Sequence, residues 1–200
     1  MSIINVLQGF SSAIVLIVAI GAQNAFVLGQ GVQKHHHWWV ALICMSCDAV
    51  LISAGMLGGG YVFETWPLIL DILRYGGAAF LLWYSIGCFK GFMHPKGLNP
   101  NMMYTTLTRT VMTTLAVSLL NPHVYIDTVV LLGSIGNQLE GGEKNGFWLG
   151  AVTASVVWFT VLAAAAQALS PVLKKPSVWR WIDLGIGCLM LWIAYWLLTH

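Results

Sequence analysis

Charge is what this sequence has least of. Only 8% of its 200 residues are charged, against about a quarter in an ordinary globular domain, while 58% are hydrophobic and the mean hydropathy is +0.78. Water cannot be the main solvent of such a chain. No charged side chain occurs from Met1 to Gln33, and a second uncharged run extends from Asn145 to Leu173. Both exceed the roughly 20 residues needed to span hydrocarbon. The first cation is Lys34, beyond an apolar run too long for a secretory signal, so the first helix is expected to be retained. Net charge is only +2 and its cations are scattered through short loops, which argues against a nucleic-acid partner. Cysteine is scarce, and Cys44, Cys47, Cys88 and Cys188 all fall in apolar segments, so no loop disulfide framework is expected. The sequence also lacks a nucleophile–base triad, a phosphate loop and an H-E-x-x-H helix, which leaves little support for an enzyme, a cofactor or a resident metal.

What is present reads as an all-α membrane protein. Polar and Gly/Pro punctuation divides the chain into six segments, about 3–29, 38–60, 67–92, 105–135, 146–170 and 179–198. The connection from His94 to Asn101 splits a single 1–200 transmembrane domain into two three-helix halves, about 1–95 and 102–200. Lys34, Lys90, Lys96, Arg109, Lys174, Lys175 and Arg180 belong to the first, third and fifth connections, and only Arg74 and Lys144 to the second and fourth. Because cytoplasmic loops hold the excess of Lys and Arg, both termini are predicted to be periplasmic. Trp38, Trp39, Trp66, Trp148, Trp179 and Trp181 fall at segment ends, where indoles favour the headgroup region. The first segment of each half carries a polar interruption, Gly21-Ala22-Gln23-Asn24 and Asn121-Pro122-His123. A duplicated three-helix half must enter the membrane from the opposite side, so the pattern predicts an inverted repeat with broken first helices, an architecture that holds cargo near the midplane.

Ionised side chains at mid-bilayer are costly and usually face a cavity or a partner. Asp48 lies ten residues into the second segment, about 15 Å at helical rise, and Asp127 lies inside the fourth. Either could simply brace helices as a hydrogen-bonded acid. No basic residue occupies the interior of a predicted helix to balance them, so a cargo bearing an ammonium or guanidinium would supply the missing charge. At the breaks marked by Gly21 and Pro122, freed backbone N–H groups suit an α-carboxylate and freed carbonyls an α-ammonium, although kinks satisfied by neighbouring helices would look the same. Gln23, Asn24 and Asn121 add amides there, and Tyr125 is placed to orient Asp127 or His123. His123, Asp48 and Asp127 are the candidates for proton coupling. Cys44 and Cys47 share a helix face beside Asp48, but free cysteine usually behaves as a small hydrophobe and no second C-x-x-C completes a zinc site. The run His35 to His37 is more readily a solvated interface than a metal sensor. Gly55 and Gly59 form a small-x-x-x-small pair that could pack helices within one chain or between two copies of a homodimer.

These motifs resemble the lysine/arginine exporter family, the LysE type within the wider amino-acid exporter superfamily. The resemblance runs through Ile20-Gly21-Ala22-Gln23-Asn24-Ala25-Phe26-Val27 with Gln30-Gly31, Asp48 with Gly55, Gly76-Gly77 with Phe80-Leu81-Leu82-Trp83-Tyr84, and Leu120-Asn121-Pro122-His123-Val124-Tyr125-Ile126-Asp127. The last of these is the most specific. One departure is Ala22, where many relatives carry proline, so Gly21 and the amides alone must break the first helix. The resemblance implies an exporter of L-lysine, L-arginine or both in the bacterial inner membrane, driven by the proton gradient or membrane potential. It also implies a binding role for Gln23, Asn24, Asp48, Asn121 and Asp127. The competing readings are a neutral amino-acid exporter, a divalent-metal efflux protein and a membrane thiol-redox carrier.

Overall fold

A computed structural model describes residues 2–18, 22–34, 36–59, 67–93, 106–173 and 175–199, and among these the regular structure is wholly helical. Helix α1 (Ile3–Val18) and α2 (Ala22–Gln33) come from the first uncharged run, and their axes differ by 76°. Gly21, the expected break, lies outside the described residues. Helix α3 (His37–Ala54) continues through a wide π turn, Gly55–Gly59, and stops where Gly58 adopts φ 92°, a left-handed conformation that a side chain would oppose. Helix α4 (Pro67–Met93) is followed by α5 (Leu107–Leu119), which opens with the Thr106 side chain accepting from the Arg109 N–H at 3.3 Å. The proline at 122 cannot continue the backbone ladder, and the chain resumes as α6 (Pro122–Tyr125), a π-helical stretch (Ile126–Leu132) and α7 (Gly133–Asn137). Two long helices end the chain, α8 (Gly141–Leu173) and α9 (Pro176–Thr199).

Three of these helical stretches are long and apolar enough to cross a membrane, His37–Gly58, Gly141–Pro171 and Arg180–Thr199, and α1 with α2 would make a fourth as one bent span. The outer surface agrees. Leu7, Val15, Val50, Ile72, Val161 and Trp192 are exposed, far more apolar surface than a soluble protein presents to water.

The direction of each packed pair can be read from its contacts. Helix α8 is the spine. Both α1 and α2 run along it in the same sense: Gly9 lies on the Phe147 backbone, Trp158 Nε1 donates to Asn24 Oδ1 at 3.1 Å, and the Ser170 hydroxyl donates to the Val32 carbonyl at 2.5 Å. Helix α3 runs antiparallel to α8, with His37 Nε2 3.0 Å from Gln167 Oε1 and Trp148 Nε1 donating to Ser53 Oγ at 2.9 Å. Helices α4 and α9 are also antiparallel. Arg74 donates from Nε and Nη2 to the carbonyls of Leu197 and Leu198 at 2.5 and 3.1 Å, and the Ser85 hydroxyl to that of Gly187 at 3.0 Å. The π-helical stretch and α7 run parallel to α3 and touch it backbone to backbone at Gly55. A Cβ there would stand 2.7 Å from the Val129 carbonyl oxygen, and one on Gly133 would stand 2.8 Å from the Gly55 carbonyl. Gly55 is thus used inside the chain, as small residues are in close helix pairs.

Candidate functional site

Two apolar clusters make up the interior. One gathers Phe26, Val40, Cys44, Leu81, Phe159 and Met190, and the other Ala13, Ile52, Met56, Leu132, Phe147 and Ala151. On α3 the residues Cys44, Asp48 and Ile52 follow one another at four-residue spacing, as Ala151, Ser155 and Phe159 do on α8. Asp48 and Ser155 therefore form a polar layer between the clusters. The Ser155 hydroxyl donates to Asp48 Oδ2 at 2.7 Å, and Asp48 is only 2% exposed.

The rest of the layer comes from α2 and α5. Gln23, one residue into α2, reaches the neighbourhood of both Asp48 and Cys44, and Cys44 Sγ lies 3.8 Å from Ser118 Oγ on α5. Gln23 Nε2 is buried with no hydrogen-bond partner at normal geometry. A buried unpaired donor is costly and calls for an explanation. The groups described around Asp48 are all neutral: a hydroxyl, an amide and a thiol. None is a cation.

The other sequence-predicted residues are placed as follows. Asn24 is buried and works at the break, its Nδ2 donating to the Ile17 carbonyl at 2.8 Å near the end of α1 and its Oδ1 accepting from Trp158. Tyr125 does the same work at the second break, its hydroxyl donating to the Leu119 carbonyl at 2.8 Å. Asn121 is buried between α5 and α6, and its carbonyl accepts from the Val124 N–H at 3.1 Å. Asp127 is half-buried on the π-helical stretch, which packs against α3. The side chains of Pro122 and His123 lie outside what is described. Of the histidine run, His35 lies outside the described residues, and His37 is buried against Gln167.

Ser155, Ser118 and Trp158 were not legible as site residues. Serine and tryptophan are ordinary in membrane helices, and only the packing of α8 and α5 against α3 and α2 gives them partners.

Residues 14–200 match the pattern of the LysE type translocator family. The chain belongs to that family. Its relatives include the arginine exporter protein ArgO of Escherichia coli (strain K12), 42% identical over 94% of this chain and 90% of its own length. The arginine exporter protein ArgO of Serratia proteamaculans (strain 568) is 44% identical over 94% of this chain and 93% of its own, and that of Yersinia enterocolitica is 42% identical with the same coverage. No solved structure matches the chain. As a LysE-type translocator with several apolar spanning helices, it is a multi-pass membrane transporter and not an enzyme.

Proposed function

We propose that this LysE-type translocator exports basic amino acids, arginine foremost, across the bacterial inner membrane by alternating access between its two halves. The observation that carries the proposal is Asp48, a buried carboxylate whose neighbours among the described residues are neutral groups. A buried acid without a cation is costly, and a guanidinium or ammonium arriving with the cargo would offset that cost. The family and the printed function of the relatives agree with a cationic amino acid as cargo.

In this reading Asp48 and Asp127 supply negative charge, and Gln23 offers its unpaired N–H to the cargo carboxylate. Asn24, Asn121 and Tyr125 hold the two breaks in the shape that exposes helix ends to the cargo. His123, Asp48 and Asp127 remain the groups through which proton movement would couple to transport.

The packing supports two inverted three-helix repeats. Exchanging the halves would turn the parallel contact of α1 and α2 with α8 into the parallel contact of the α5–α7 segment with α3. It would leave the antiparallel pairs α3 with α8 and α4 with α9 as they are. That is the contact pattern of six alternating spans. With the Lys/Arg excess at the first, third and fifth connections, it favours periplasmic termini.

The test is substrate choice in reconstituted liposomes loaded with a labelled amino acid. Arginine and lysine should leave the vesicles and compete with one another, while citrulline, the uncharged isostere of arginine, should not. Transport of neutral amino acids with indifference to arginine would overturn the proposal.

A further inference from the structure

A polar chamber whose lining does not include Asp48 lies at the end of the protein where α2 and α4 finish and α5 and α9 begin. Its volume is about 610 Å³, within the range of roughly 300–1,000 Å³ usual for small-molecule sites. Phe26 and Tyr84 form part of its wall, and Gln30, Lys90, Arg109 and Asp183 bring polar groups to it.

One of those groups is unsatisfied, and the acid has no cation paired with it among the described residues. Gln30 Oε1 is buried and has no hydrogen-bond partner. Asp183, the eighth residue of α9, lies against the backbone of Gly91 on α4, where a Cβ would stand 2.6 Å from its Oδ2. Arg180, one turn earlier on α9, does not turn toward it, since its guanidinium stacks on the Phe92 ring at 4.5 Å. Among the described residues, no lysine or arginine pairs with the Asp183 carboxylate, although Lys90 and Arg109 stand in the same wall.

An acid, an unpaired carbonyl and two cations lining one chamber suit a ligand that carries both charges. We propose that this chamber is a loading site for a zwitterion with a cationic side chain, Asp183 and Gln30 taking the side-chain cation and Lys90 and Arg109 the α-carboxylate. The inference rests on the export reading above and adds to it a separate site at the Lys/Arg-rich face, from which cargo passes inward toward Asp48. Phe26 links the two, since it lines the chamber and lies three residues along α2 from Gln23.

The test is sided. Liposomes with the protein in known orientation are given labelled arginine at one face at a time, and the half-saturating concentration is measured. Asp183→Asn should raise it about tenfold or more at the Lys/Arg-rich face, the loss expected when a charged hydrogen bond is removed, and far less at the opposite face. Asp183→Glu should recover most of the loss. Gln30→Leu keeps the test open should Asp183→Asn not assemble, and should shift the same value at the same face. No change in either variant, or an equal change at both faces, would overturn the loading site while arginine transport by the unaltered protein stands. If the unaltered protein ignores arginine, the export reading falls and the loading site with it.

Discussion

Gly55→Ala probes the tightest point between the α3 helix and the segment that carries Asp127. The backbone at Gly55 is right-handed helical, φ −58° and ψ −45°, so alanine meets no conformational objection. Sterics are another matter: the new methyl would stand 2.7 Å from the Val129 carbonyl oxygen, 2.8 Å from Val129 Cα and 2.9 Å from the Thr128 carbonyl oxygen. Carbon contacts are comfortable at about 3.5–4.0 Å, and three backbone atoms cannot swing aside as a flexible side chain would. The two segments must part by close to an ångström. Overpacking of this kind costs about 1–3 kcal/mol, while replacing a helical glycine with alanine returns about 0.5–1 kcal/mol. A net loss of about 1–2 kcal/mol remains. Gly76→Ala on α4 is the control, because a Cβ there meets nothing within 4 Å, and it should be neutral or slightly stabilising. Unfolding of the detergent-solubilised protein would be compared for the three forms. A Gly55→Ala protein as stable as the Gly76→Ala protein would refute the close crossing.

Other consequences follow from single hydrogen bonds. Arg74→Gln should lower stability by about 1–2 kcal/mol, because two carbonyls at the end of α9 lose a charged donor; thermal unfolding in detergent reads it, and an unchanged midpoint would count against the cap. Tyr125→Phe leaves the Leu119 carbonyl without its hydroxyl donor, at about 1 kcal/mol. Its transport rate should fall while the protein still inserts and folds, and full activity would mean that the second break holds itself.

How much of this was legible in the sequence depends on which force set each feature. The long runs were legible because hydrocarbon excludes charge, so the uncharged stretches before Lys34 and from Asn145 became α1 with α2 and most of α8. The second break was legible because the residue after Asn121 has no N–H, and the helix does stop there. The burial of Asp48 followed from its depth in an apolar run, and it is 2% exposed. The π-helical stretch Ile126–Leu132 had no such mark, since its residues would suit an ordinary helix equally well. Ser155 was equally silent, because a serine in a membrane helix gains meaning only from the acid that packing sets opposite it. Asp183 and Gln30 carry no mark of a shared site in the sequence: one stands near the start of a helix and the other near the end of one, and only the fold brings them to one chamber.

The central claim is that Asp48 is the counter-charge for a cationic cargo. Its most direct measurement is exchange of labelled arginine well below the half-saturating concentration in liposomes holding the Asp48→Asn protein, which keeps the shape and can still accept from Ser155. Exchange should fall at least about tenfold with the protein folded and inserted. Exchange at the unaltered rate would mean that arginine crosses without this carboxylate.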